Sequence, residues 1–226
     1  MLIVLEGTDS SGKQTQAELL YEYLKSKGEN VRKISFPDYE SPSSALVKMY
    51  LSGEFGKSAD SVSAYAASSF YAVDRYASYR RDWGGFLESG GTIVADRYTT
   101  SNMIHQCAKI SDISEKEAFL EWVADFEYSK LGLPKPDKVI FLNMPPDAAR
   151  RLMQGRANKI TGKEKLDIHE ADSDYMQKSY DNAVYVAKKC GWNTVNCTHN
   201  GEIRTREDIN QEITEIIGNG IQKGGN

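Results

Sequence analysis

The chain is poor in cysteine and histidine. It carries three cysteines, Cys107, Cys190 and Cys197, and three histidines, His105, His169 and His199. An odd cysteine count without a CxxC spacing argues against a disulfide scaffold. The histidines stand too far apart for HExxH or any other zinc spacing. Positive charge is not in excess either. Against 28 Lys and Arg stand 32 Asp and Glu, a net charge of −4, so the surface as a whole does not attract polyanions and no nucleic-acid partner is expected. A small anion is a separate case, because a few basic residues can dominate one pocket. Long apolar runs are also missing. The first, residues 2–5, closes at Glu6 and is too short for a signal peptide or a membrane span. The expectation is a cytoplasmic protein in a reducing compartment, with no membrane partner.

What is present is a regular alternation. Short apolar runs at 2–5, 31–36, 92–95, 139–142 and 194–197 read as strands, apolar on both faces as strands between helix layers should be. Helical patterns fill the gaps at 13–27, 43–51, 61–81, 115–128, 148–154, 173–189 and 206–217. Alternating β and α elements predict an α/β three-layer fold, a five-stranded parallel sheet with helices on both faces. Ligands then gather beyond the carboxyl ends of the strands. No repeat or long linker divides residues 1–217, which read as one domain. Residues 157–165 are polar, carry Lys159, Lys163 and Lys165, and read as a mobile loop. Residues 218–226 read as a flexible Gly-rich tail.

Between the first strand and the first helix lies Gly7-Thr8-Asp9-Ser10-Ser11-Gly12-Lys13, the GxxxxGK pattern in the strand–loop–helix setting that a phosphate-binding loop needs. The glycines let backbone N–H groups turn inward around phosphate oxygens, and the helix N-terminus adds its positive dipole end. Lys13 can reach the β- and γ-phosphates. The pattern asks for Ser or Thr after the lysine to hold Mg²⁺; this chain has Gln14, with Thr15 next. The third strand ends in Asp96-Arg97-Tyr98. An acid there can hold Mg²⁺ through water, and an arginine can grip a phosphate bidentately. On the helix at 61–81, Val62, Tyr65, Ala66, Ser69, Val73, Tyr76 and Ala77 form an apolar stripe expected to face the core. Tyr71 and Arg75, four residues apart, share another face; a ring beside a guanidinium suits a nucleobase. A surface Tyr–Arg pair is the plain alternative.

These segments resemble the thymidylate kinase family of P-loop nucleoside-monophosphate kinases over nearly the whole chain. The matching residues are Glu6-Gly7-Thr8-Asp9-Ser10-Ser11-Gly12-Lys13, Phe36-Pro37-Asp38-Tyr39, Ala72-Val73-Asp74-Arg75, Asp96-Arg97-Tyr98-Thr99-Thr100-Ser101-Asn102 and Pro134-Lys135-Pro136-Asp137. The resemblance implies a P-loop NTP hydrolase-like fold with a lid at about 154–168, and transfer of the γ-phosphate of MgATP to dTMP. It implies that residues 7–15 and Arg151 hold ATP, and that Asp9, Lys13, Arg97 and Arg156 serve catalysis. It implies a dTMP site of Asp9, Phe36, Tyr39, Tyr71, Arg75, Arg97, Ser101, Asn102 and His105. Within it Arg75 and Asn102 read the thymine edge, Tyr71 stacks on the base, and Arg97 and Tyr39 hold the phosphate. Mg²⁺ is the implied cofactor, with Asp9 and Asp96 nearest to it. The phosphate loop has no arginine, so the lid's Arg156 is expected to supply the transition-state cation. Asp167 and Glu170 after the lid approach the sugar or metal, or else are ordinary helix-start acids. A homodimer is implied, with Trp122 and Phe126 as candidate contacts, buried core being their default reading. The alternatives are a kinase for another pyrimidine nucleotide, or a P-loop protein that binds nucleotide without catalysis.

Overall fold

The computed structural model describes residues 1–153 and 173–221. Arg156, Asp167, Glu170 and the expected lid at 154–168 lie outside the described residues. Five strands, β1 (Leu2–Glu6), β2 (Val31–Ser35), β3 (Thr92–Asp96), β4 (Lys138–Asn143) and β5 (Asn193–Asn196), form one sheet in the order β2-β3-β1-β4-β5. All four pairings are parallel. The helices are α1 (Lys13–Ser26), α2 (Ala45–Leu51), α3 (Ala64–Ser78), α4 (Gly84–Glu88), the single turn α5 (Thr99–Ser101), α6 (Ile113–Ala124), α7 (Pro146–Met153), α8 (Ser173–Lys189) and α9 (Arg206–Ile221).

Successive side chains of a strand point to opposite faces, and the central strands supply both layers. Ile3 and Leu5 of β1 join Leu20 and Leu24 of α1 and Ile213 of α9 in one core. Leu2 and Val4 join Phe36, Trp83 and Tyr98 in the other. Each fully buried Leu or Ile stabilises the fold by roughly 1.5–3 kcal/mol, so the central strand welds the two layers. The two edge strands differ from expectation. Arg32, Lys33 and Ser35 of β2 are exposed, as are Thr194 and Asn196 of β5. Only the inner strands are apolar on both faces; charge on β2 discourages pairing with another sheet.

The helix expected at 61–81 begins at Ala64 and passes through a π-helical turn, Tyr79–Trp83, into α4. Its apolar stripe is not the core face. Tyr65, Val73 and Tyr76 are exposed, whereas Ala64, Ala67, Ser68, Ala72, Asp74 and Arg75 are buried. The small residues turn inward because α3 packs closely, and its buried charges have dedicated partners. Two further π-helical turns were not expected: Asn102–Gln106 after α5, and Asp125–Lys130 continuing α6. The short hairpin Thr198–His199 with Glu202–Ile203 was also not expected. Its Asn200-Gly201 turn has φ of 50° and 81°, the left-handed pair that Asn-Gly favours. Helix α9 runs four residues past the expected end at 217.

Candidate active site

The carboxyl ends of β1 and β3 carry most of the charge. Residues 7–12 leave β1, and α1 starts at Lys13. Gly7 has φ of +156°, and a Cβ there would lie 2.5 Å from Ser11 Oγ and 3.0 Å from the Leu142 carbonyl; only glycine fits. Gly12 caps α1 in the left-handed conformation. Lys13 is buried and folds back on the loop, its Nζ donating to the Thr8 carbonyl at 2.6 Å and to Ser11 Oγ at 3.4 Å. Burial, with repulsion from Arg97, lowers its pKa to about 7; Asp9, Asp96 and Glu6 pull the other way. A lysine in this state is poised for an anion. Gln14 and Thr15 are exposed on the first turn of α1.

Arg97 follows β3 with φ of 70°, a left-handed conformation that costs a non-glycine residue about 1–2 kcal/mol. Such strain clusters at functional sites. Its Nη2 donates to Asp9 Oδ1 at 2.5 Å, and its Nη1 lies 2.8 Å from His105 Nε2. Burial would lower the Arg97 pKa, but Asp9, Glu6 and Asp96 together more than offset it and raise it. Tyr39 is also close enough to act on that charge. Glu6, fully buried at the end of β1, accepts from Tyr98 N, Thr100 Oγ1 and Ser101 Oγ at 3.2, 2.7 and 2.8 Å. Its pKa is raised, by burial above all. Glu6 thereby ties β1 to the segment that carries Asn102 and His105. Ser101 is committed to Glu6, donating to both of its oxygens.

A second cluster sits on α3. Arg75 and Glu127 form a bidentate pair, Nε to Oε2 and Nη2 to Oε1, both at 2.6 Å, with each side chain 1% exposed. Thr99 Oγ1 donates to Glu127 Oε2 at 2.9 Å, and Asn102 Nδ2 donates to Glu127 Oε1 at 2.9 Å and to the Ser68 carbonyl at 3.2 Å. The neighbouring Asp74 accepts from Asp38 N at 2.8 Å and Ser43 Oγ at 2.6 Å, which anchors the Phe36–Tyr39 turn to α3. Its pKa is raised by burial. Phe36 is buried with its ring 6.1 Å from that of Tyr98. Tyr71 is half-buried beside the Val47, Tyr50 and Leu51 cluster.

Of the residues expected at the site, the structure brings Asp9, Lys13, Arg97 and His105 together, and Arg75 with Asn102. Thr8, Asp9 and His105 line one pocket with Pro146, Tyr175 and Ser179. Arg151 lies apart from these, exposed on α7 with its Nη2 donating to the Gly201 carbonyl at 2.8 Å. Trp122 and Phe126 are half-buried and stacked at 5.1 Å, with Tyr65 against Trp122 at 4.7 Å. Glu127, Glu6 and Asp74 were not among the expected site residues. Glu6 and Asp74 stand inside matching segments, which was the available signal. Glu127 lies 52 residues from Arg75 with no local pattern to join them.

For the metal, oxygen donors are at hand in Asp9 and in buried Asp96, while Gln14 is exposed. Among the described residues no group of three or more His, Cys, Asp or Glu could hold a metal. Mg²⁺ suits this donor set, since it keeps several waters and needs only one or two carboxylates with substrate phosphates.

A parallel sheet, a glycine-bound loop with a buried lysine and a strained arginine facing it define a P-loop nucleotide-binding protein of the kinase type. A solved thymidylate kinase structure from Candida albicans superimposes with a TM-score of 0.72 at 22% identity, covering 97% of this chain and 91% of that one. A family profile, Thymidylate kinase, matches residues 5–209. A thymidylate kinase of Mycobacterium tuberculosis is 32% identical over 194 residues, 85% of this chain and 87% of its own. One of Plasmodium falciparum is 28% identical over 214 residues, 95% and 90% of the two chains. The chain belongs to the thymidylate kinase family.

Proposed function

We propose that the protein is a dTMP kinase that transfers the γ-phosphate of MgATP to dTMP, yielding dTDP and ADP for dTTP synthesis. The observation that carries this reading is Arg97, a strained arginine across the loop from Lys13, held by Asp9 and His105 until a phosphate takes their place. A dTMP phosphate on Arg97 and Tyr39 faces ATP phosphates cradled by residues 7–13. Its oxygen forms a bond to the γ-phosphorus as the bond to the bridging β-phosphate oxygen breaks. That oxygen is already ionised near neutral pH, so no general base is needed. Positioning and charge neutralisation do the work. Mg²⁺ bound by Asp9 and Asp96, directly or through water, would neutralise phosphate charge. Arg75 and Asn102 take the thymine edge, with Phe36 and Tyr71 on its faces, and His105 lies toward the sugar. Ser101 acts through Glu6. The lid at 154–168 supplies Arg156; Arg151 joins the adenine side when that lid closes. Residues 1–217 act as one catalytic unit.

We also propose a homodimer in the cytoplasm. Tyr65, Val73 and Tyr76 are exposed on α3, with Tyr65 against Trp122, and exposed apolar residues on one helix suit association. The test of the activity is ADP release measured with dTMP, dUMP, UMP and thymidine. Release that depends on dTMP supports the reading; ATP binding without dTMP-dependent release would leave a non-catalytic nucleotide-binding protein.

A further inference from the structure

Glu127 is the hub of the cluster on α3, and its chemistry restricts its neighbours. A carboxylate beside a guanidinium only accepts hydrogen bonds. The atom of Asn102 that lies 2.9 Å from Glu127 Oε1 also lies 3.2 Å from the Ser68 carbonyl. Both partners are acceptors, so that atom must be the amide nitrogen. The polarity of the Asn102 amide is therefore set by the network, and its Oδ1 points away from Glu127. Arg75 is constrained in the same way. Glu127 takes its Nε and Nη2, which leaves Nη1 outside the pair. Both side chains are buried, Arg75 at 1% and Asn102 at 2% exposure. The bonds to Glu127 leave over one acceptor, Asn102 Oδ1, and one donor, Arg75 Nη1.

We propose that Glu127 is the positioning residue that sets base specificity, by fixing Asn102 as an acceptor and Arg75 as a donor toward the incoming base. An acceptor beside a donor complements a pyrimidine edge with a ring N3–H and a 4-carbonyl, as in thymine and uracil. It opposes cytosine, whose N3 accepts and whose 4-amino group donates. Thr99 adds a bond to Glu127 Oε2, so three side chains, from α3, α5 and the turn after it, converge on one carboxylate. The π-helical turns at Asn102–Gln106 and Asp125–Lys130 carry two of its members, and such turns recur at functional sites. Glu127 itself need not touch the base; it acts through its two neighbours. This inference rests on the proposed dTMP kinase activity.

The test is Glu127→Gln, assayed on dTMP, dUMP and dCMP. A glutamine amide presents N–H to one arm of the Arg75 fork, so the fork is released. The expected result is a fall of at least about tenfold in the dTMP-to-dCMP ratio of kcat/KM, the size of one lost charge-assisted hydrogen bond. The loss should appear mainly in KM for dTMP. The dTMP-to-dUMP ratio should hold, because the 5-methyl group plays no part, and KM for ATP should hold as well. Should Glu127→Gln fail to fold, Glu127→Asp keeps the charge but shortens the reach and should show the same change in ratio. A folded variant with the native dTMP-to-dCMP ratio, or one that slows all three substrates equally, overturns the proposal. Native protein that releases no ADP with dTMP overturns the activity instead, so the two failures are distinct.

Discussion

Binding of ATP should draw a proton onto Lys13. In the free protein Lys13 is buried, folded onto the Thr8 carbonyl, and its pKa is lowered from the ordinary 10.5 to about 7. Phosphates arriving at Nζ favour the ammonium form and restore a high pKa. At pH 8 the free lysine is only about one-tenth protonated, so binding takes up about nine-tenths of a proton. At pH 6 it is already charged, and uptake at this site falls to about a tenth of a proton. ATP affinity should therefore drop by up to about tenfold per pH unit above 7. Calorimetric titration with Mg-nucleotide, in buffers of different ionisation enthalpy, reads the proton count directly. Lys13→Met provides the control, since it binds weakly but without this pH slope. Equal proton uptake by the native protein at pH 6 and pH 8 would refute the argument. The stability of the nucleotide-free protein runs the opposite way with pH. A lysine with its folded pKa depressed leaves the unfolded state holding more protons between about pH 7 and 10, so stability rises through that window. Lys109, lowered to about 8 by burial, adds to the rise.

Arg97→Ala should lower kcat by about 100- to 1000-fold and weaken dTMP use, since it removes the cation proposed to receive the acceptor phosphate; unchanged dTMP kinetics would remove Arg97 from the site. Arg156→Ala should lower kcat more than it raises KM, and a raised KM alone would make Arg156 a ground-state binding residue. Gly7→Ala places a Cβ against Ser11 and the Leu142 carbonyl and should abolish tight ATP binding in the same calorimetric assay. Asp74→Asn leaves one acceptor for two donors, Asp38 N and Ser43 Oγ; it should cost about 1–3 kcal/mol by denaturant melts and raise KM for dTMP. Val73→Asp, on the exposed face of α3, should shift the protein from dimer to monomer in light scattering while leaving its melting cooperative.

The layered fold and the phosphate loop were legible in the linear chain, because both depend on local order. Strand, glycine, lysine and helix must follow one another for a loop to wrap phosphate, and inner strands buried on both faces must be apolar. Edge strands were less legible, since Arg32 and Lys33 are tolerated only because β2 has one open side, and that depends on strand order. The face of α3 was misread for the same reason. Periodicity located an apolar stripe at Tyr65, Val73 and Tyr76, but the small residues on another face packed inward and carried Arg75 with them. Only the tertiary structure joined Arg75 to Glu127, Glu6 to Ser101, and Asp74 to the turn at Asp38. A buried carboxylate is stable only with donors that sequence separation hides, 52 residues away for Arg75 and 94 for the Thr100 that meets Glu6. The chain by itself determined the strand–loop–helix order that places Lys13 at the end of a glycine-bound loop. The packing of α3, α5 and the turn after α6 decided which atoms of Arg75 and Asn102 are taken by Glu127, because hydrogen-bond polarity is settled by neighbours in space.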